Sequence, residues 1–172
     1  MKDLKTLVIA QSYTAYGYVS TLTTAMSLVF LLSTATVAQS ALVANGCQKI
    51  RANEVSAYTG PSTVGGTVTQ GGILNGTSEA VPVSSFFPTA QANTFSFNIS
   101  KTFITNKGVL RTLSPHLLDT VSGIGTAFAY INPATSTGIF AGATGVLFVN
   151  FTQDLNAGTA NAEITGEICL VD

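Results

Sequence analysis

The segment 160–170 alternates without a break: Ala160, Ala162, Ile164, Gly166, Ile168 and Leu170 form one set, and Asn161, Glu163, Thr165, Glu167 and Cys169 the other. Successive side chains of a strand point to opposite faces, so this period fits an extended chain with one buried and one wet face. Half-buried strands of this kind are typical of antiparallel sheets. The period returns at 95–103, where Phe95, Phe97, Ile99 and Phe103 alternate with Ser96, Asn98, Ser100 and Thr102, and Lys101 is the odd member of the apolar set.

Turn signals divide the rest of the chain. Asn106-Lys107-Gly108 supplies a hairpin loop with glycine at the left-handed position, so the return strand begins at Val109. Asn75-Gly76 separates predicted strands over 66–74 and 77–83. Asn132-Pro133-Ala134 and Asn156-Ala157-Gly158 bound further strands over 126–131 and 139–151. The stretch 84–92, with Pro82 and Pro88 nearby, reads as a surface loop. No long amphipathic helix is evident after residue 41. Many short strands at this spacing indicate a sandwich or an up-and-down barrel. Gly138, Gly142 and Gly145 punctuate the strand expected over 139–151. Glycines inside a strand mark bulges or bends, and three so close together imply the tight coiling of a small closed barrel.

The run Ser136-Thr137-Gly138-Ile139-Phe140-Ala141-Gly142-Ala143-Thr144-Gly145, followed by Val146 and Leu147, resembles the Gly-Thr-Gly-x-Phe-x-Gly-Ala-x-Gly segment of the allene oxide cyclase and dirigent barrel families. It is similar also to secreted bacterial proteins with the same ending. Ile164-Thr165-Gly166-Glu167-Ile168 fits the last strand of that pattern, and the resemblance covers about the final third of the chain. It implies an eight-stranded antiparallel barrel with an apolar interior, often assembled into dimers or trimers, in which the glycines are scaffold positions. The families' catalytic carboxylates align with no motif here, so their activity does not carry over.

Charge and targeting narrow the function classes. No Asp, Glu, Lys or Arg occurs between Lys5 and Lys49, and the gap contains the apolar run 25–35. Ala38 and Ser40 then occupy the small-residue positions for cleavage before Ala41. The expectation is a helical signal segment over 1–40 and a β domain over 41–172, secreted, extracellular or periplasmic. The alternative is an uncleaved anchor, since 19–38 has the length a bilayer needs. Beyond residue 40 only Lys49, Arg51, Lys101, Lys107 and Arg111 are basic, against seven acidic residues, which excludes an obvious nucleic-acid footprint.

In an oxidising compartment the isolated pair Cys47 and Cys169 is most simply one disulfide, the alternative being two buried free thiols. Because Cys169 shares a face with Glu163 and Glu167, such a bond would lie outside the core. Two cysteines and one histidine make no standard four-ligand zinc site, and neither metal nor cofactor is expected.

Ser114, His116 and Asp119 invite a nucleophilic triad, but Pro115 and the short spacing oppose it, and His116 reads as a loop or strand-end residue. Glu163 and Glu167 share a strand face about 13 Å apart, too far for a glycosidase pair. Glu54, Glu79 and Asp119 stand alone, and one of them pointing into a barrel would be a candidate acid or base. Phe95, Phe97, Phe128, Tyr130, Phe140 and Phe148 are the candidate lining of an apolar interior, either as plain core or as a ligand site. The leading expectation is a non-catalytic binding or structural module, with a small apolar ligand as its candidate partner. The alternatives are a cyclase- or dirigent-like protein and a component of a surface assembly of identical copies.

Overall fold

The computed structural model describes residues 44–171; the segment 1–43, including the expected signal at 1–40, lies outside the described residues. Among the described residues nine strands follow one another in chain order. They are β1 (Ala44–Gly60), β2 (Thr63–Thr69), β3 (Gly76–Pro82), β4 (Phe87–Pro88), β5 (Thr94–Thr105), β6 (Gly108–Asp119), β7 (Ile124–Ile131), β8 (Thr144–Asp154) and β9 (Thr159–Val171). All pair antiparallel, in the order β3-β2-β1-β9-β8-β7-β6-β5, and β5 pairs back onto β3 to close an eight-stranded barrel. The two-residue strand β4 takes over the edge of β5 at Phe95 and Ser96, beyond the point where β3 ends at Pro82. Proline cannot donate to a ladder, which suits it to that terminus.

Two short 3-10 turns plug one end of the barrel. Ile73 and Leu74 enter from Gly72–Leu74, and Phe140 enters from Gly138–Phe140. With Phe103, Leu110, Leu147 and Ile168 they build the apolar cluster that fills that end. The expected strands 66–74 and 139–151 are therefore too long, each yielding its end nearest the plug to a turn. Glycine makes the second turn possible. Gly138 has φ +64°, and a Cβ there would lie 2.2 Å from the Lys107 carbonyl oxygen in the β5–β6 hairpin. The glycine run shapes a plug as well as a wall.

Alternation decides what faces inward. On β7, Gly125, Ala127, Ala129 and Ile131 are buried while Ile124, Phe128 and Tyr130 are exposed. Ala127↔Val149 and Ala129↔Leu147 show the fit across the β7–β8 ladder: small residues meet larger ones. The other end of the barrel carries the connections 61–62, 83–93, 120–123 and 155–158.

Cys47 and Cys169 face each other across the β1–β9 ladder and are joined by a disulfide. It lies on the outer surface, beside Glu167. The bond crosslinks the first and last strands of the barrel, 122 residues apart in sequence. The Cys47→Ser/Cys169→Ser variant is expected to lose about 4–5 kcal/mol, the loop-closure entropy of a crosslink this long. Denaturant unfolding with the disulfide intact and removed measures the loss; an unchanged midpoint would show that strand pairing alone holds the seam.

Candidate functional site

Two charged residues sit on otherwise apolar inward-facing sets, and the barrel brings them together. Glu54 follows Ile50 and Ala52 on the inner face of β1 and is only 3% exposed. Lys101 follows Phe97 and Ile99 on β5. Its ammonium nitrogen forms a short salt bridge with Glu54 Oε2. The other carboxylate oxygen, Oε1, accepts a hydrogen bond of 2.5 Å from Ser78 Oγ on β3.

The reach from β1 to β3 and β5 crosses β2, and Gly66 makes it possible. A Cβ on Gly66 would stand 2.7 Å from both Glu54 Oε1 and Ser78 Oγ. The missing side chain is the slot the carboxylate occupies. Lys101 Nζ also lies 5.2 Å from the centre of the Phe103 ring, so the cation rests against an aromatic face.

A second polar unit lies on β6. Ser114 is fully buried, and its hydroxyl stands 3.1 Å from His116 Nε2 and 3.3 Å from the Ile99 carbonyl oxygen. One hydroxyl proton cannot serve both. The consistent network has Ser114 donating to Ile99 and accepting from Nε2–H, an assignment made from hydrogen bonding. His116 Nδ1 is then a bare acceptor, buried and without a partner among the described residues. The imidazole lies between Phe97 and Phe151, with ring centres 5.4 and 5.6 Å away. Burial, and secondarily the Lys101 charge, push its pKa down to about 4, so the ring is neutral at neutral pH.

The inner wall thus has two regions. The apolar cluster around Phe103, Leu110 and Phe140 fills the plugged end. Phe97 and Leu118 are buried outside that cluster, at the other end of the same strands. Over Phe97 lies Phe86, from the 83–93 connection, with ring centres 4.3 Å apart.

His116 is thus a mid-strand, inward-facing residue and not a loop residue. Ser114 joins it, whereas Asp119 does not: its carboxylate accepts the backbone N–H groups of Ser122 and Val121, which hold its pKa below the usual carboxylate value. Glu79 is exposed on β3, and Glu163 pairs with Arg51 on the outer wall. Of the six candidate aromatic residues, Phe97 and Phe140 are buried inside and Phe95 is half-buried on the same face as Phe97. Phe128, Tyr130 and Phe148 project outward instead, correcting the expectation of a shared interior. Residue type had suggested a lining, but strand parity assigns these three to the outside. The signal that could have found the site was the pair of odd charges, one acid and one base, on two apolar sets.

Two surface depressions of about 810 and 880 Å³ border the barrel, the first over β1, β8 and β9 and the second reaching also Thr94, Leu117, Asp119 and Ile124. Both are wide open, and outward-facing residues such as Arg51, Phe148 and Thr165 in one, and Asn53, Asn150 and Glu163 in the other, line much of them. Glu54 and Phe151, although on the inner set, also border the second depression, whereas Lys101, Ser114 and His116 line neither.

The molecule is thus a closed eight-stranded antiparallel barrel with an ion pair and a serine–histidine pair inside. No family model matches the chain, and no curated protein matches it. Among solved structures the chain is similar to the pterocarpan synthase dirigent protein PsPTS1, at 15% identity and a TM-score of 0.30, over 74% of this chain and 97% of that one.

Removing one member of a buried ion pair strands the other, at about 3–5 kcal/mol, whereas replacing both with apolar side chains is often neutral or stabilising. Lys101→Met alone should therefore destabilise the barrel strongly, and Glu54→Leu/Lys101→Met should recover most of the loss. Equal losses in the single and double variants, measured by denaturant unfolding, would rule out the coupling.

The histidine makes a separate expectation. Its folded pKa lies below the unfolded value of 6.5, so between pH 6.5 and 4 the unfolded chain takes up a proton that the folded state refuses. Stability should fall across that window as pH falls, by on the order of 3 kcal/mol for this group. The difference in stability between wild type and His116→Phe, followed from pH 7 to 4, isolates the effect; parallel curves would contradict it.

Proposed function

We propose that the end of the barrel opposite the plug holds a small, largely apolar molecule, with Phe97, Phe151 and His116 as its apolar wall and His116 and the Glu54–Lys101 pair as its polar contacts. The observation that carries this reading is the buried ion pair. A barrel needing only stability would do as well or better with apolar side chains there. Buried polar groups converging on an apolar interior are the usual marks of a ligand site. On this reading the protein is a non-catalytic binding module. Its exposed disulfide suits an oxidising compartment, outside the cytoplasm.

A cyclase- or dirigent-like reaction is the alternative for the same site, supported by the resemblance of the 136–145 segment. The neutral His116 ring would be its base, because Glu54 is engaged by Lys101 and Ser78.

The outer wall favours a further reading, self-assembly. Phe128 and Phe148 pack edge to face, with ring centres 5.2 Å apart, while both remain 45% exposed. Leu113 and Tyr130 are opposite one another on β6 and β7 and extend the patch. Exposed apolar residues grouped in this way mark interaction surfaces.

Backbone and side-chain NMR of the disulfide-bonded protein, screened against small apolar alcohols, ketones and aromatics, tests the first reading. Perturbations should cluster at Phe97, Ser114, His116 and Phe151, and weaken at least severalfold in Lys101→Met. Shifts confined to the outer wall would overturn it. Sedimentation of wild type against Phe148→Ser tests assembly: a wild-type oligomer that dissociates in the variant is expected, and a wild-type monomer at all concentrations would remove that reading.

A further inference from the structure

We infer that the end of the barrel opposite the plug is a membrane-binding rim, which seats against a lipid surface of net-neutral headgroups. The inference concerns the outside of that end and does not depend on the ligand-site reading. Four connections meet there, 61–62, 83–93, 120–123 and 155–158, and they join the eight barrel strands in pairs. Turn residues are ordinarily small and polar. Here every connection or its flank exposes a large apolar side chain: Tyr58 before 61–62, Phe86 and Phe87 within 83–93, Val121 and Ile124 at 120–123, and Leu155 in 155–158. Phe87 is 58% and Val121 77% exposed. The four connections surround one mouth, so their apolar groups can enter a single plane together. Exposed apolar groups collected in this way mark an interaction surface.

The plugged end is the contrast. Its connections bury Ile73, Leu74 and Phe140, leave Ile139 part-exposed, and present Lys107 in the β5–β6 hairpin. Loop apolar residues thus turn inward at one end and outward at the other. The outward ones are held there by bonded turns. Asp119 Oδ1 accepts the N–H groups of Val121 and Ser122 at 2.8 and 2.9 Å, and Asp154 Oδ1 accepts those of Asn156 and Ala157, both at 2.9 Å. Tyr58 N–H donates to the Gly158 carbonyl at 2.9 Å, and its hydroxyl accepts from Gln153 Nε2 at 2.8 Å. In the 83–93 connection Val83 N–H donates to the Asn98 carbonyl at 2.8 Å, and Phe87 pairs with Ser96. A rim already ordered has little left to lose on binding.

Charge selects the kind of surface. The four connections contain no charged residue and are flanked by Asp119 and Asp154. The Lys and Arg side chains of the described residues lie elsewhere: Lys101 inside, Lys107 at the plugged end, Arg111 near that end of β6, and Lys49 and Arg51 on β1 toward the disulfide. Anionic lipid attracts cationic segments, and this rim offers carboxylates instead. The same acids disfavour its contact with the rim of a second copy. A zwitterionic phosphatidylcholine surface is the match, bound through apolar area.

The chain has no tryptophan, so a single introduced indole reports its own surroundings. In the full chain, the fluorescence of Phe87→Trp and of Val121→Trp should be quenched by phosphatidylcholine vesicles brominated on the acyl chains, and that of Ile139→Trp should not. Insertion through the apolar run 25–35 would bring neither 87 nor 121 to the acyl layer, so the two routes are distinguished. The Phe87→Ser/Val121→Ser variant should bind vesicles about tenfold more weakly than wild type. Binding should neither rise with added phosphatidylserine nor fall with added salt. Quenching at 139 but not at 87 or 121, undiminished binding of the double variant, or binding that requires phosphatidylserine would each overturn the inference. A wild-type dimer that the double variant dissociates, with none of the three indoles quenched, would also overturn it and assign the rim to a second copy.

Discussion

A carboxylate and an ammonium group inside a closed barrel must meet, and the wall is shaped so that they do. Glu54 lies on β1 and Lys101 on β5, with β2 and β3 between them. The carboxylate spans that distance only because Gly66 has no side chain in its path and Ser78 offers a hydroxyl on the way. Three strands besides β1 are thus committed to one ion pair. The arrangement is costly to break on one side only, since either charge left alone would be stranded in an apolar interior. It also sets apart the two ends of the inner wall, one filled by Phe103, Leu110 and Phe140, the other ending in Phe97, His116 and Leu118.

Much of this wall was readable from the sequence. The alternation at 160–170, the Asn106-Lys107 hairpin and the pairing of Cys47 with Cys169 all correspond to observed features, because each follows from local period or chemistry. Aromatic orientation did not follow, and β7 shows why. Its inner positions are Gly125, Ala127 and Ala129, set directly beside the large inner residues Phe151, Val149 and Leu147 of the neighbouring strand β8. A Cβ on Gly125 would lie 2.1 Å from the Phe151 ring. Phe128 and Tyr130 are outside for want of room, a constraint set by residues from another strand.

His116 illustrates a different limit. The sequence places His116 in a loop or at a strand end, and Pro115 beside it has no N–H for a ladder. In the barrel the proline is accommodated within β6, where the β6–β7 pairs run Thr112↔Ile131 and Leu113↔Tyr130 and resume only at His116↔Ala127. The ladder is interrupted where proline has no N–H to give. Pairing with β5 continues through Asn98↔Pro115, so the strand persists and parity carries Ser114 and His116 inward together. Proline removes the hydrogen bond on one side of β6 and leaves the strand intact on the other.

The terminal strands connect the buried pair to the rest of the fold. β1 carries Glu54 and is held on one side by β2 and on the other by β9, the last strand. Glu54 lies opposite Ala162 in that second ladder, and Cys47 lies opposite Cys169 further along it. The disulfide, although outside the core, therefore restrains the seam that sets where the carboxylate enters the barrel. Strand register is all-or-none, because a slip of one residue exchanges inner and outer faces. A slip along β1 would send Glu54 outward and bring its neighbours Asn53 or Val55 to the slot beside Gly66, where no partner for Lys101 would remain. The crosslink outside and the ion pair inside thus oppose the same error, and each makes the other's geometry easier to keep.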